Sequence, residues 1–224
     1  PPPAVAGAWA WTVEQPFSEP VRFTSLVALQ AAPDGRVAGL SIDRYGVATL
    51  RGSVQADGTL QARKTYAAGP SAPEPGEDAT VFLYAGQVQA GDPLRLVDGG
   101  WGLVDQPPVA DWEGRRAPAF DPATLGGAWT LEADFGVGEA VFIVSDFGQI
   151  GGTITDRVGE ATVDGVFDPV TGAVVFRKAY RGRDLDWWYA GRLQGARIID
   201  GEYMGEADGL LPDEQPGVWT ARRP

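Results

Sequence analysis

Residues 59–66 read TLQARKTY, and residues 173–180 read AVVFRKAY. Both stretches alternate apolar or aromatic residues with other types, and both carry a lysine followed two positions later by a tyrosine. Period-two alternation is typical of a β-strand with one face turned to a core. The alternation places Lys64 and Tyr66 on the inward face of one strand, and Lys178 and Tyr180 on the inward face of another.

The two stretches belong to a longer internal repeat. Gly7-Ala8-Trp9 returns at 127–129, and DRYG at 43–46 returns as DRVG at 156–159. Further pairs follow in the same order: Gly52 with Gly165, Tyr84 with Tyr189, Asp98-Gly99 with Asp200-Gly201, and Trp112 with Trp219. We interpret the chain as a tandem duplication, with repeats at 1–116 and 126–224 joined by a linker at 117–125. Segment 67–78 is an insertion that its Pro, Gly and acidic residues predict to be an exposed loop.

Segments rich in Val, Ile, Thr and aromatic residues, separated by Gly, Pro and Asp, predict eight strands in each repeat and no substantial helix. In the first repeat they are 8–14, 21–30, 36–43, 47–55, 59–66, 79–88, 94–104 and 110–116. In the second they are 127–133, 139–147, 150–156, 160–167, 173–180, 186–194, 196–204 and 216–222.

Eight short strands with tight turns close most economically into an up-and-down antiparallel barrel, because closure removes unpaired sheet edges. The predicted fold class is therefore all-β, with two tandem eight-stranded antiparallel barrels. A two-sheet sandwich is the alternative.

Composition excludes several classes of function. The net charge of −12 repels phosphate backbones and anionic lipid surfaces, so we expect neither a nucleic-acid nor a membrane partner. The chain has no His and no Cys, which removes imidazole bases, thiol nucleophiles and the usual zinc ligands. No cofactor and no metal site are expected. The scarcity of Lys beside abundant Arg suggests GC-rich coding, as in a GC-rich bacterium, and makes Lys64 and Lys178 more informative.

The order of landmarks resembles the avidin-like members of the calycin superfamily, which also includes lipocalin-like barrels. These landmarks are GxW, Asp-x-x-Gly, Lys-x-Tyr, Tyr-x-Gly, Asp-Gly-x-aromatic and a closing Trp, and they cover nearly all of both repeats. The resemblance implies eight-stranded barrels that hold a small ligand at the open end. A tandem pair would be similar to two fused protomers.

The candidate ligand-binding residues are those expected on the inward faces of two neighbouring strands in each repeat. They are Lys178, Tyr180, Phe176, Trp187 and Tyr189 in the second repeat, and Lys64, Tyr66, Phe82 and Tyr84 in the first. The second set is the more aromatic, so the second barrel is the better candidate pocket. No catalytic residue can be assigned.

A buried lysine needs a partner or loses its proton, and Asp43 and Asp156 are the expected partners. The lysines then have two interpretations. Either Lys, Asp and Tyr form a structural network that fixes barrel closure, or the lysine anchors a ligand or transfers protons with Tyr66 or Tyr180.

Tryptophans and carboxylates carry further predictions. The tryptophans that recur near the first and last strands, Trp9, Trp129, Trp112 and Trp219, are predicted to plug the closed barrel ends. One of Trp187 and Trp188 should face outward, rimmed by Arg183, Asp184 and Asp186, as a contact surface or a packing residue. The acidic residues Glu202, Glu206, Asp208, Asp213 and Glu214 are predicted to be solvated rather than a glycosidase pair.

Three functions remain open from sequence. The first is a non-catalytic protein that binds a small hydrophobic molecule in a barrel mouth. The second is a cofactor-independent cyclase or isomerase that acts on a hydrophobic natural product. The third is a structural or inhibitory interaction protein with plugged barrels. A barrel–barrel contact or a homodimer is a possible assembly, and the expected compartment is the cytoplasm, with a secreted or periplasmic product as the alternative.

Overall fold

The computed structural model describes residues 1–15, 21–69, 71–73, 76–205 and 216–224. Sixteen β-strands in these ranges form two closed antiparallel barrels of eight strands each. The first barrel consists of β1 (Gly7–Gln15), β2 (Val21–Ala31), β3 (Arg36–Asp43), β4 (Gly46–Val54), β5 (Thr59–Ala68), β6 (Val81–Gln89), β7 (Arg95–Leu103) and β8 (Ala110–Arg116). The second consists of β9 (Gly127–Ala133), β10 (Gly136–Val144), β11 (Gln149–Asp156), β12 (Gly159–Phe167), β13 (Ala173–Tyr180), β14 (Asp186–Gln194), β15 (Arg197–Gly205) and β16 (Gly217–Arg222).

Each barrel is an up-and-down meander whose first and last strands pair. Trp9 of β1 lies opposite Arg116 of β8, and Trp219 of β16 lies opposite Ala133 of β9. Closure leaves no sheet edge exposed, which is the advantage over a sandwich. The predicted fold class is confirmed, and the sandwich alternative is wrong.

The strand predicted at 139–147 is the clearest error in the predicted boundaries. It begins earlier, at Gly136, because Ala133 and Gly136 pair directly across a two-residue turn. It ends at Val144 because Gly148, at φ +85°, closes the next turn with its N–H donating to Ser145 O. Gly supplies such a positive φ at no steric cost.

The chain divides into two compact units, 1–118 and 119–224. Ala117 donates its N–H to Ala8 O in the first unit. Leu125, after a 3₁₀ turn at Pro122–Thr124, is buried in the core of the second unit. In the insertion, Ala68 still belongs to β5, and Ser71 N–H donates to Tyr45 O. None of the described residues forms a helix long and apolar enough to cross a membrane.

One end of each barrel is plugged by the residues that precede its first strand. Trp9 Nε1 donates to the carbonyl of buried Val5 at 2.9 Å, and Trp129 Nε1 donates to that of buried Leu125 at 2.8 Å. We call this the closed end. The loop end is the opposite one, at which β3 turns into β4 and β11 into β12.

Candidate functional site

A buried Lys-Asp-Tyr group lies below the loop end of the first barrel. Lys64 Nζ is paired with Asp43 Oδ2, and the two side chains are 1% and 0% exposed. Tyr66 OH donates to Asp43 Oδ1 at 3.0 Å, and the Tyr45 backbone N–H donates to the same oxygen at 2.9 Å. Asp43 ends β3, whereas Lys64 and Tyr66 share the inward face of β5.

Two serines extend this group. Ser25 Oγ donates to Asp43 Oδ2 at 3.1 Å, lies 2.8 Å from Ser41 Oγ, and accepts from Lys64 Nζ at 3.4 Å. Both serines are fully buried. Every polar atom of the lysine and carboxylate therefore lies near a complementary partner, which is the condition for burying such a pair.

The second barrel repeats the group without the serines. Lys178 Nζ is paired with Asp156 Oδ2, with side chains 1% and 3% exposed. Tyr180 OH donates to the same oxygen at 2.6 Å, and the Val158 backbone N–H donates to Asp156 Oδ1 at 2.8 Å. Above the ammonium lie three rings, with centroids 4.6 Å (Tyr180), 5.6 Å (Phe135) and 5.7 Å (Tyr189) from Nζ. Ring faces attract a cation at this range.

Burial governs the titration of these groups. Desolvation lowers the pKa of Lys64 and of Lys178, against the pull of Asp43 and Asp156 in the other direction. Desolvation would raise the pKa of Asp156, but the hydrogen bonds from Lys178, Tyr180 and the Val158 N–H, together with the charge of Lys178, outweigh it and lower that pKa. Burial raises the pKa of both Tyr66 and Tyr180, and the neighbouring carboxylate raises it further. The tyrosines therefore stay protonated and act as donors.

The middle of each barrel is filled by aromatic rings. In the second barrel, Phe176 stacks on Tyr189 with centroids 5.0 Å apart, and both pack edge-on against Trp219. In the first barrel, Tyr84 packs against Trp11 and Trp112, with centroids 5.5 Å away in each case. The rings of the predicted ligand-binding residues Phe176, Tyr189 and Tyr84 pack in the cores, and Tyr189 also borders a small cavity.

The loop end of the second barrel carries a half-buried set of aromatic rings, which we call the aromatic rim: Phe135, Trp187 and Tyr203. Tyr203 lies 5.2 Å from Phe135, 5.5 Å from Trp187 and 5.5 Å from buried Tyr189, measured between ring centroids. Its hydroxyl donates to Asp134, and burial followed by this bond raises the pKa of Tyr203 to about 12.

A small cavity lies below the aromatic rim. It has a volume of about 10 Å³, and Phe135, Asp156, Lys178, Tyr189 and Trp219 are among the residues that line it. That volume holds about one water molecule. A ligand of any size would therefore contact the rim rather than enter beside the lysine.

All nine candidate residues face the barrel interiors as the alternation predicts. Lys64, Tyr66, Lys178 and Tyr180 form the two polar groups, whereas Phe82 and Trp187 are half-buried at the loop ends. Sequence reasoning did not select Phe135 or Tyr203. Tyr203 was visible as the repeat partner of Trp101, but Phe135 lies in a two-residue turn where alternation gives no signal.

The predictions for the tryptophans hold in part. Trp9 and Trp129 lie at the closed ends, but Trp112 and Trp219 do not, because they pack on Tyr84 and Tyr189 toward the loop ends. Glycines make this possible, since a Cβ at Gly99 or Gly201 would lie 2.7 Å from the indole.

Trp187 packs against the core, so its neighbour Trp188 is on the outer face. Trp188 is half-buried there, and its buried Nε1 has no hydrogen-bond partner in the described residues. Asp186 is not an exposed rim residue as predicted. It is buried and paired with Arg177.

Of the acidic residues singled out near the end of the second repeat, the structure describes only one. Glu202 is exposed, and Glu206, Asp208, Asp213 and Glu214 lie outside the described residues. Within the described ranges, no group of three or more Asp or Glu side chains is placed to hold a metal ion.

No protein-family model matches this chain, and no curated protein is similar to it at a significant level. The function is therefore inferred from the geometry of the chain itself.

Proposed function

We propose that this chain is a non-catalytic binding protein with calycin-like barrels, and that the second barrel takes up a small apolar ligand on its aromatic rim. The observation that carries the proposal is the half-buried ring of Tyr203 at the loop end, which stacks on Tyr189 and takes Phe135 and Trp187 edge-on. Clustered aromatic rings that remain partly in water favour binding of flat apolar molecules.

The buried polar groups support a non-catalytic role. Lys178 and Tyr180 are both bound to Asp156, and the adjoining cavity has room for about one water. A catalytic lysine or tyrosine must reach the reacting atoms of a substrate. Because the same group recurs in the first barrel, we favour a structural role, in which the group holds the loop end together, over the cyclase or isomerase hypothesis.

The calycin-like assignment is part of this proposal. It rests on the order of the repeat landmarks together with two closed eight-stranded antiparallel barrels. The expected ligand location, at the open end of a barrel, matches the position of the aromatic rim.

The test is a titration of the full chain with Nile red, a neutral apolar dye, followed by dye emission and by native mass spectrometry. We expect saturable binding of one dye per chain, lost or weakened at least about tenfold in Trp187→Leu because the largest rim ring is removed. Phe82→Leu is the matched control, since Phe82 occupies the equivalent position in the first barrel. It should bind the dye like the wild type.

A second candidate is an interaction protein with plugged barrels, which the filled ring clusters around Tyr84 and Tyr189 favour. Absence of dye binding to the wild type would contradict the ligand-binding proposal and favour this candidate. Equal loss in Trp187→Leu and Phe82→Leu would contradict the assignment of the site to the second barrel.

A further inference from the structure

Two arginines face each other on the outer surface of the first barrel. Arg51 of β4 pairs directly with Arg63 of β5, and both side chains are exposed. Directly opposed residues in an antiparallel sheet have Cβ atoms about 5 Å apart, and like charges there destabilise the sheet. Among the described residues neither arginine has an ion-pair partner. The pair therefore carries an uncompensated charge of +2 on a chain with a net charge of −12.

The second barrel differs at this place. The equivalent cross-strand pair, one residue along from the lysine pairing in each barrel, is Asp164 of β12 opposite Arg177 of β13. Arg177 is also paired with Asp186. The second barrel thus has opposite charges where the first has two positive charges, so the repulsion is not a requirement of the fold.

The surroundings of Arg51 and Arg63 supply neutral hydrogen-bonding groups. The outward residues two positions before and after each arginine on its strand are Thr49 and Ser53 on β4, and Gln61 and Thr65 on β5. None of the four is acidic. A groove of about 560 Å³ adjoins Arg51, with Gln30, Arg36 and the bare backbone of Gly52 in its walls.

We propose that this surface, the arginine face (Arg51, Arg63 and their four neutral neighbours), binds the phosphate group of a small molecule. Two guanidinium groups match the charge of a phosphate dianion, and their planar forks donate paired hydrogen bonds to its oxygens. The hydroxyl and amide groups beside them satisfy the remaining oxygens. Binding also removes the repulsion between the two arginines, because the anion lies between them.

The experiment titrates the full chain with inorganic phosphate at constant ionic strength, with sodium chloride as the balancing salt. The readouts are the amide NMR shifts and the thermal midpoint. We expect saturable shifts confined to β4 and β5 and a rise in the midpoint, since a ligand that binds the folded state stabilises it. In Arg63→Gln the phosphate affinity should fall about tenfold or more, because one charge-assisted fork is lost.

Arg51→Asp is the sharper variant, because it installs the opposite-charge pair of the second barrel. It should abolish the phosphate shifts and raise the midpoint in chloride alone, which shows that the variant folds. Arg181→Gln, an exposed arginine of the second barrel, is the control and should respond to phosphate like the wild type. Shifts that spread over many arginines, rise without saturation, or persist with unchanged affinity in Arg63→Gln would overturn the proposal and leave an adventitious ion only.

Discussion

The two barrels fill the same space from different strands. In the first, Trp11 of β1 lies 4.6 Å from Trp112 and 5.5 Å from Tyr84, and β5 places the small side chain of Ala62 at the position that Phe176 holds in the second barrel. In the second, β9 contributes Leu131 at the place of Trp11, and Phe176 of β13 replaces Ala62. The large ring is thus on β1 in the first barrel and on β13 in the second, whereas the neighbouring Trp and Tyr occupy equivalent positions in both. The total volume of the core therefore matters more than which position supplies it.

The polar groups show the opposite behaviour. Lys, Asp and Tyr recur in both barrels, although their surroundings differ. Ser41, two residues before Asp43, becomes Ile154 in the second barrel, and Ser25 on the neighbouring strand becomes Gly138. The ion pair thus persists with and without the extra hydroxyls, so we assign the structural role to the pair and its tyrosine.

The largest loss of stability is expected from removing the carboxylates. Asp156→Ala leaves Lys178 buried without its partner, at a cost of roughly 3–5 kcal/mol. Asp43→Ala should cost about 1 kcal/mol less, because Ser25 Oγ still accepts from Lys64. Native-state hydrogen exchange of the full chain, read separately for peptides of each barrel, measures both losses.

A double variant controls this prediction. Lys178→Met combined with Asp156→Ala removes both charges and should recover most of the stability, because no buried ion remains. Equal and small losses in the two single variants would show that the ion pairs contribute little to either barrel.

The interchangeability of the two cores can be tested by giving the first barrel the core residues of the second. Trp11→Leu should destabilise the first barrel by about 3 kcal/mol through the cavity it leaves. Ala62→Phe alone should overpack the same core, at about 1–3 kcal/mol. The two together should cost far less than their sum, because they reproduce the packing of the second barrel. They also remove Trp11 Nε1, a buried donor with no partner in the described residues.

The measurement is a double-mutant cycle on the free energy of unfolding of the first barrel, with Trp9→Leu as a size-matched control at the closed end of the same barrel. Ala62→Phe should not rescue that control. If the two core changes prove additive, the cores are not interchangeable in the way the comparison suggests.

The sequence predicts the fold well because alternation and the repeat are independent signals that agree. The inward positions of Lys64 and Lys178 follow from the alternation, and their pairing with Asp43 and Asp156 follows from the cost of an unpaired buried charge. How completely the rings fill the cores does not follow, because packing depends on interstrand distances that no local pattern encodes. Phe135 was missed for the same reason: a turn residue has no periodicity, and only the folded hairpin brings it over Lys178.

The core tyrosines Tyr84 and Tyr189 occupy equivalent positions, so they should give the two barrels the same dependence of stability on pH. Burial raises the pKa of Tyr84 and Tyr189 well above the ordinary 10.0. Above pH 10 the unfolded chain therefore releases these protons while the folded chain keeps them, and stability falls as the pH rises. The lysines act in the other direction, because their lowered pKa values cost stability at lower pH and this cost is relieved as the pH rises toward 10.5.

Tyr84→Phe and Tyr189→Phe should each remove about 1.4 kcal/mol of the stability lost between pH 7 and pH 11. Urea unfolding at pH 7 and pH 11 gives the value, because the difference cancels any cost that does not depend on pH. An effect in one barrel alone would show that the two ring clusters are not equally closed to solvent.

The smallest loss of stability is expected at the closed ends. Arg223 donates to the carbonyls of Ala123, Thr124 and Gly126 at 2.6, 3.0 and 3.0 Å, and its guanidinium lies 4.9 Å from the Trp129 ring centroid. Its equivalent Arg116 donates to Ala4 O at 2.8 Å. Because each net hydrogen bond contributes about 1 kcal/mol or less at a partly exposed site, Arg223→Ala should cost about 1 kcal/mol more than Arg116→Ala. Hydrogen exchange at Trp9 Nε1 and Trp129 Nε1 reports directly on the two closed ends. Faster exchange at Trp9 in Arg116→Ala than at Trp129 in Arg223→Ala would contradict the prediction that the arginine stabilises the closed end more strongly in the second barrel.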